Sequence, residues 1–104
     1  MKTKVRFEFD TQLFYPAYEG PRNIIFENPP HIPATGDPVN FRITDFFDDR
    51  KVIKKFEALN EGSLFYAERL QAIYGKDEIE IIVVVYEEAI FKENFPQFFE
   101  RSLM

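Results

Sequence analysis

Glu78-Ile79-Glu80-Ile81-Ile82-Val83-Val84-Val85-Tyr86-Glu87 is the stretch whose reading decides the fold. In an extended chain Ile79, Ile81, Val83 and Val85 share one face, while Ile82, Val84 and Tyr86 make the other face apolar as well. A strand that is apolar on both sides needs cover on both sides, so the pattern predicts the centre of a sheet, with a helix or the C-terminal tail across its second face. Leu64 to Tyr74 is a second strand-like run, and Gly75-Lys76-Asp77 joins the two, which predicts a β-hairpin with a three-residue, glycine-containing loop.

Working outward, Lys4-Val5-Arg6-Phe7-Glu8-Phe9-Asp10 alternates strictly and predicts a half-buried strand. Residues 11–37, with Pro38 directly after them, take in six of the seven prolines, so this stretch is expected to be largely irregular apart from a short strand at Asn23–Glu27. Asn28-Pro29-Pro30-His31-Ile32-Pro33 is stiff, because each residue before a proline is pushed toward extended conformations. Alternation returns over Val39 to Thr44 and predicts another strand. From Asp45 to Asn60 the period changes: at about 100° per residue, Phe46, Val52, Ile53, Phe56 and Leu59 fall on one arc and Arg50, Lys51, Lys54 and Lys55 on the opposite one. That is an amphipathic helix, with Asp45 or Asp48 to cap its start and Gly62 to end it. The last stretch, 91–104, reads as a docking tail with a short terminal helix capped by Asn94 and carrying Pro96 in its first turn. Its four phenylalanines would each cost about 1.5–3 kcal/mol in water, so it must dock on its own domain or on another chain.

These elements predict a single α+β domain over residues 1–104: an antiparallel sheet of four or five strands, able to curl into a small barrel, with one amphipathic helix and a short C-terminal helix. At 104 residues the chain has length for one core and not for two. The positive start, Met1 to Arg6, runs at once into Glu8 and Asp10, and the longest apolar run is Ile81–Val85. A cytoplasmic protein without a membrane span is therefore expected.

Composition excludes much chemistry. Cysteine is absent, which removes disulfides, thiolate catalysis and cysteine-ligated zinc, and the single histidine, His31, leaves little for triads or for imidazole-held metal. His31 sits in a proline-bound loop with no acid or nucleophile near it in sequence. Asp45, Asp48 and Asp49 offer carboxylates to a hard cation, but their spacing matches no calcium loop and helix capping accounts for them. No catalytic, cofactor-binding or metal-binding residue is assigned, and the expected cofactor is none. The net charge of −5 disfavours nucleic acid as a partner. Most of the negative excess lies in residues 63–104, and the one concentrated basic stretch is Arg50, Lys51, Lys54 and Lys55.

The eighteen aromatic residues carry the functional expectation. Phe7, Phe9, Phe41, Phe46, Phe56 and Tyr86 follow strand or helix patterns and belong to a core. Phe14, Tyr15 and Tyr18 in the 14–18 loop, and Phe91, Phe95, Phe98 and Phe99 in the tail, follow none, and are the candidate interface residues. The expected function is thus a noncatalytic binding or assembly module that self-associates, as a homo-oligomer, or meets a protein partner through these residues. A second reading is a small ligand-binding barrel or enzyme with an aromatic-lined pocket and polar groups from Asp45, Asp48, His31 or a tyrosine. A third is an acidic inhibitor of a nucleic-acid-binding protein, in which Asp77, Glu78, Glu80, Glu87, Glu88 and Glu93 imitate a phosphate backbone.

Overall fold

A computed structural model describes residues 1–99 and shows a five-stranded mixed sheet curled into a half-barrel with two helices. In chain order the elements are β1 (Lys2–Asp10), β2 (Asn23–Glu27), β3 (Pro38–Val39), a 3₁₀ turn at Ile43–Asp45, α1 (Arg50–Asn60), β4 (Phe65–Tyr74), β5 (Glu78–Glu87), α2 (Glu88–Asn94) and a 3₁₀ turn at Pro96–Phe98. The strand order is β2-β1-β5-β4-β3. The central position expected for β5 is therefore observed, and so is its hairpin with β4 across Gly75-Lys76-Asp77.

The expectation of a purely antiparallel sheet is corrected. β5 runs parallel to β1, with Val5 opposite Ile81 and Phe7 opposite Val83, while the other pairings are antiparallel. Alternation fixes which side chains share a face and is the same for either strand direction, so it could not distinguish them. The polar face of β1 suits this register: Lys4 Nζ lies 3.8 Å from Glu78 and Arg6 Nη2 3.6 Å from Glu80, a cross-strand set of opposite charges.

On the concave face Val5, Phe7, Ile24, Phe65, Ala67, Val83 and Val85 meet Val52 and Phe56 of α1, together with Leu13, Tyr18, Ile43 and Phe47, in one buried core. Phe56 stacks on Phe65 at 4.9 Å between ring centroids, which fixes α1 against β4. On the convex face α2 lays Phe91 over Tyr66 and Tyr86. It is the tail, then, that covers the Tyr86 end of the second apolar face of β5.

Three boundaries differ from the sequence reading. The strand expected over Val39–Thr44 stops at Val39. Asn40 Oδ1 accepts the backbone N–H of Phe41, and Ile43–Asp45 winds into the 3₁₀ turn, so local hydrogen bonds replace the ladder. The helix expected from Asp45 begins at Arg50, and its cap is Asp49, whose carboxylate accepts the N–H groups of Lys51 and Val52. Asp45 and Asp48 do not cap it, and Phe46 lies outside the helix. The terminal helix starts directly at the end of β5, so Asn94 closes it, with Nδ2 donating to Ile90 O, and Pro96 opens the following 3₁₀ turn. Of the 91–104 tail, residues 100–104 lie outside the described residues. No helix among the described residues is long and apolar enough to cross a membrane.

Candidate functional site

The concave face is not filled to its edge. A cleft of about 290 Å³ opens beside the core, walled by Phe7, Phe26 and Phe41 on one side and by Pro29, Pro30, Pro33 and Pro38 on the other, with Val39, His31 and Asn40 completing it. The aromatic wall follows from strand periodicity. Phe7 on β1 and Phe26 on β2 face the same side, and their rings meet edge to face at 5.8 Å. Phe41 closes on Phe7 at 5.2 Å and on Phe9 at 5.5 Å. The rings of Phe7, Phe26 and Phe41 hold one another edge to face and present apolar surface to the cleft.

The opposite wall is a strap, residues 28–37, drawn across the concave side and tied at both ends. At its start Asn28 takes a left-handed conformation (φ 48°), which asparagine tolerates, and its side-chain oxygen accepts the N–H of Thr3 while its own N–H donates to Thr3 O. At its far end the Arg69 guanidinium on β4 donates to Pro33 O at 3.1 Å and to Ile32 O at 3.0 Å. Thr35 Oγ1 accepts the N–H of Arg69. Prolines between the anchors restrict φ, so the wall has little freedom to collapse into the cleft.

The polar content of the cleft is small. His31 stands exposed on its rim, and no hydrogen bond or ion pair joins it to an acid among the described residues. Asn40 is engaged with the N–H of Phe41 and, at 3.4 Å, with Asn60 Nδ2. Asp45 and Asp48 do not line this cleft. Among the described residues no group of three acidic or histidine side chains converges as metal ligands would.

The aromatic residues singled out from the sequence are placed elsewhere. Tyr18 is buried, Phe14 and Tyr15 are half-buried, and the three rings pack on one another and on Phe9 and Phe47, closing one end of the core. The Tyr15 hydroxyl donates to Asp49 Oδ2. That bond holds the Asp49 carboxyl below the usual aspartate range and raises the Tyr15 hydroxyl above its own. Arg22 lies over the rings of Phe14 and Tyr18, and Lys51 over that of Tyr15. In the tail Phe91 is fully buried, Phe95 and Phe99 are half-buried, and Phe98 alone of the four is exposed. Beneath them Tyr86 donates to Glu68 at 2.6 Å, and burial, then that bond, push its hydroxyl well above the ordinary tyrosine range.

The acidic set does not form a uniform face. Glu78 and Glu80 are paired with Lys4 and Arg6, and Glu88 with Lys92 at 3.4 Å. The sequence had counted Phe7 and Phe41 as core and the 28–33 prolines only as stiff; that they enclose a cleft depends on the strap crossing the sheet, which no local pattern signals. Compared with known proteins, the chain matches no family model, no curated protein and no solved structure.

Proposed function

We propose that this protein is a noncatalytic binding module whose ligand places a flat, uncharged apolar group, of one or two rings, in the cleft between Phe7, Phe26 and Phe41 and the proline strap. The single observation behind this reading is the cleft itself: about 290 Å³, near the lower bound of small-ligand sites. For scale, a dry apolar cavity of about 150 Å³ takes up benzene. Rigid walls support the reading further, since a site already formed costs little ordering on binding. The noncatalytic part is supported by the polar groups, because among the described residues no acid is hydrogen-bonded to His31, and Asn40 Oδ1 already accepts from Phe41 N and Asn60 Nδ2.

Against this reading, interface roles for the 14–18 loop and the tail have weaker support, because all seven of their aromatic rings already pack against other rings of the chain. The acidic-inhibitor reading loses support with the pairing of Glu78, Glu80 and Glu88.

The test is a titration of ¹⁵N-labelled protein with indole. Saturable shifts are expected at residues 26, 31 and 39–41, and Val39→Trp, which fills the cleft from β3, should abolish them without changing the fold. Shifts scattered over the surface, or binding retained by folded Val39→Trp, would refute the assignment.

A further inference from the structure

Asn40 and Phe41 wall two spaces. On one side lies the apolar cleft, and on the other a recess of about 350 Å³ opens between the 40–45 segment and the C-terminal half of α1. Local structure explains its lining. Beyond β3 the chain winds so that Arg42 O accepts the N–H of Asp45 at 2.9 Å, which brings Arg42 and Asp45 to the same recess. On α1, Glu57 and Asn60 share a helix face three residues apart and line it from the opposite side. The recess is therefore charged where the cleft is apolar, and its charges are of both signs. Among the described residues Arg42, Asp45 and Glu57 are exposed, and their side chains enter no ion pair, with one another or with any other group. Asn40 adds a directed donor. Its Oδ1 accepts from Phe41 N at 2.8 Å and from Asn60 Nδ2 at 3.4 Å, so Nδ2 is the end that keeps no partner among the described residues, at the wall the two spaces share.

We propose that the ligand of this protein is a free aromatic α-amino acid, a proposal that rests on the cleft being a site for a ring and adds what the rest of the ligand must be. With the ring beside Phe7, Phe26 and Phe41, the carboxylate meets the Arg42 guanidinium and Asn40 Nδ2, and the ammonium meets the carboxylates of Glu57 and Asp45. A guanidinium and two carboxylates that surround one small space without pairing answer a ligand carrying both charges, whereas a monoanion or a monocation answers only one sign. The reach is short enough. A single chain divides cleft from recess, a wall about 5 Å thick, and in an aromatic α-amino acid one methylene joins the ring to the carbon that bears both charges. The guanidinium offers its planar fork to a carboxylate, which makes Arg42 the positioning group for that end.

Indole, indole-3-propionate, tryptamine and tryptophan, titrated in turn into the ¹⁵N-labelled full chain, test this. Indole reports the cleft alone. At about threefold for each exposed charge pair, indole-3-propionate and tryptamine should each bind about threefold tighter than indole, and tryptophan about tenfold tighter. Shifts with tryptophan should extend to residues 42, 57 and 60. Arg42→Gln should remove the advantage of indole-3-propionate and keep that of tryptamine, and Asp45→Asn combined with Glu57→Gln should do the reverse. Indole should bind all variants equally, which shows that they are folded. Lys76→Gln makes the same charge change at the β4–β5 turn, outside the recess, and should alter nothing. N-acetyltryptophanamide, which carries the ring without the charges, should bind no better than indole and so separates a free amino acid from a tryptophan within a peptide. Failure of indole to bind would refute the ring site itself, and the amino acid with it. Indole binding with tryptophan no tighter, N-acetyltryptophanamide equal to tryptophan, or charge preferences indifferent to the Arg42 and Asp45–Glu57 variants would overturn the inference and leave the ring site standing.

Discussion

Replacing Phe91 with alanine tests whether the C-terminal segment is part of the folded unit. Phe91 is 0% exposed and stands at the centre of the convex-face cluster, stacked on Tyr66 at 5.1 Å and on Phe95 at 4.8 Å, with Tyr86, Phe98 and Phe99 around it. Removing a fully buried phenylalanine forfeits its transfer free energy and leaves a cavity, together about 3–5 kcal/mol. For a domain of this length that is a large share of a total of about 5–15 kcal/mol. With an unfolding entropy of about 0.2 kcal/mol per kelvin for a domain of this size, the midpoint should fall by about 15 °C or more. The assay is thermal and urea unfolding followed by circular dichroism, with Phe98→Ala as the internal control. Phe98 is 42% exposed and should cost about 1 kcal/mol. If Phe91→Ala costs no more than Phe98→Ala, the tail does not cover the second face of β5, and the account of that strand as covered on both sides fails.

Other consequences of the structure are as readily measured. Tyr15→Phe removes the hydrogen bond that chiefly lowers the Asp49 carboxyl. A carboxyl held low in the folded state contributes stability above the ordinary aspartate range of about pH 4, and that contribution is lost as pH falls through the lowered value. The variant should therefore be less stable than the parent near neutral pH, and the gap should narrow as pH falls below about 4, because only the parent has this contribution to lose; a gap that stays constant into acid would show that the bond does not hold the carboxyl. Gly36 has φ +97°, and a Cβ there would lie 2.6 Å from Phe98 Cε1. Gly36→Ala should cost about 1–2 kcal/mol from the left-handed backbone alone and more from the ring contact, so its penalty should be smaller in a Phe98→Ala background; equal penalties would place the ring elsewhere.

Much of the fold was legible because it rests on local periodicity. Val5, Phe7 and Phe9 on one side of β1, the apolar run of β5 and the helical arc of Val52, Ile53, Phe56 and Leu59 each announce a face that must be buried. The boundaries were less legible where short polar side chains compete for the backbone: Asn40 ends a strand that alternation would continue, and Asp49 starts a helix that three nearby aspartates could each have capped. The role of the aromatics was legible only in part. An unpatterned ring at Phe14 or Tyr18 looks free in sequence, yet it is drawn into the open end of the core, because large apolar area gains most where water is already excluded.

By itself, then, the sequence determined the α+β class, the central β5 and its hairpin with β4, the amphipathic helix, and the exclusion of cysteine chemistry. These follow from which side chains alternate and which residue types are present. Tertiary structure alone decided that β1 runs parallel to β5, that the tail rather than α1 packs on the convex face at Tyr66 and Tyr86, that the proline strap leaves a cleft beside Phe7, Phe26 and Phe41, and that, among the described residues, nothing pairs with the outer edge of β4 at 70–74. Each of these depends on segments distant in the chain meeting in space, and the period of a strand or helix records which face is buried but not what buries it.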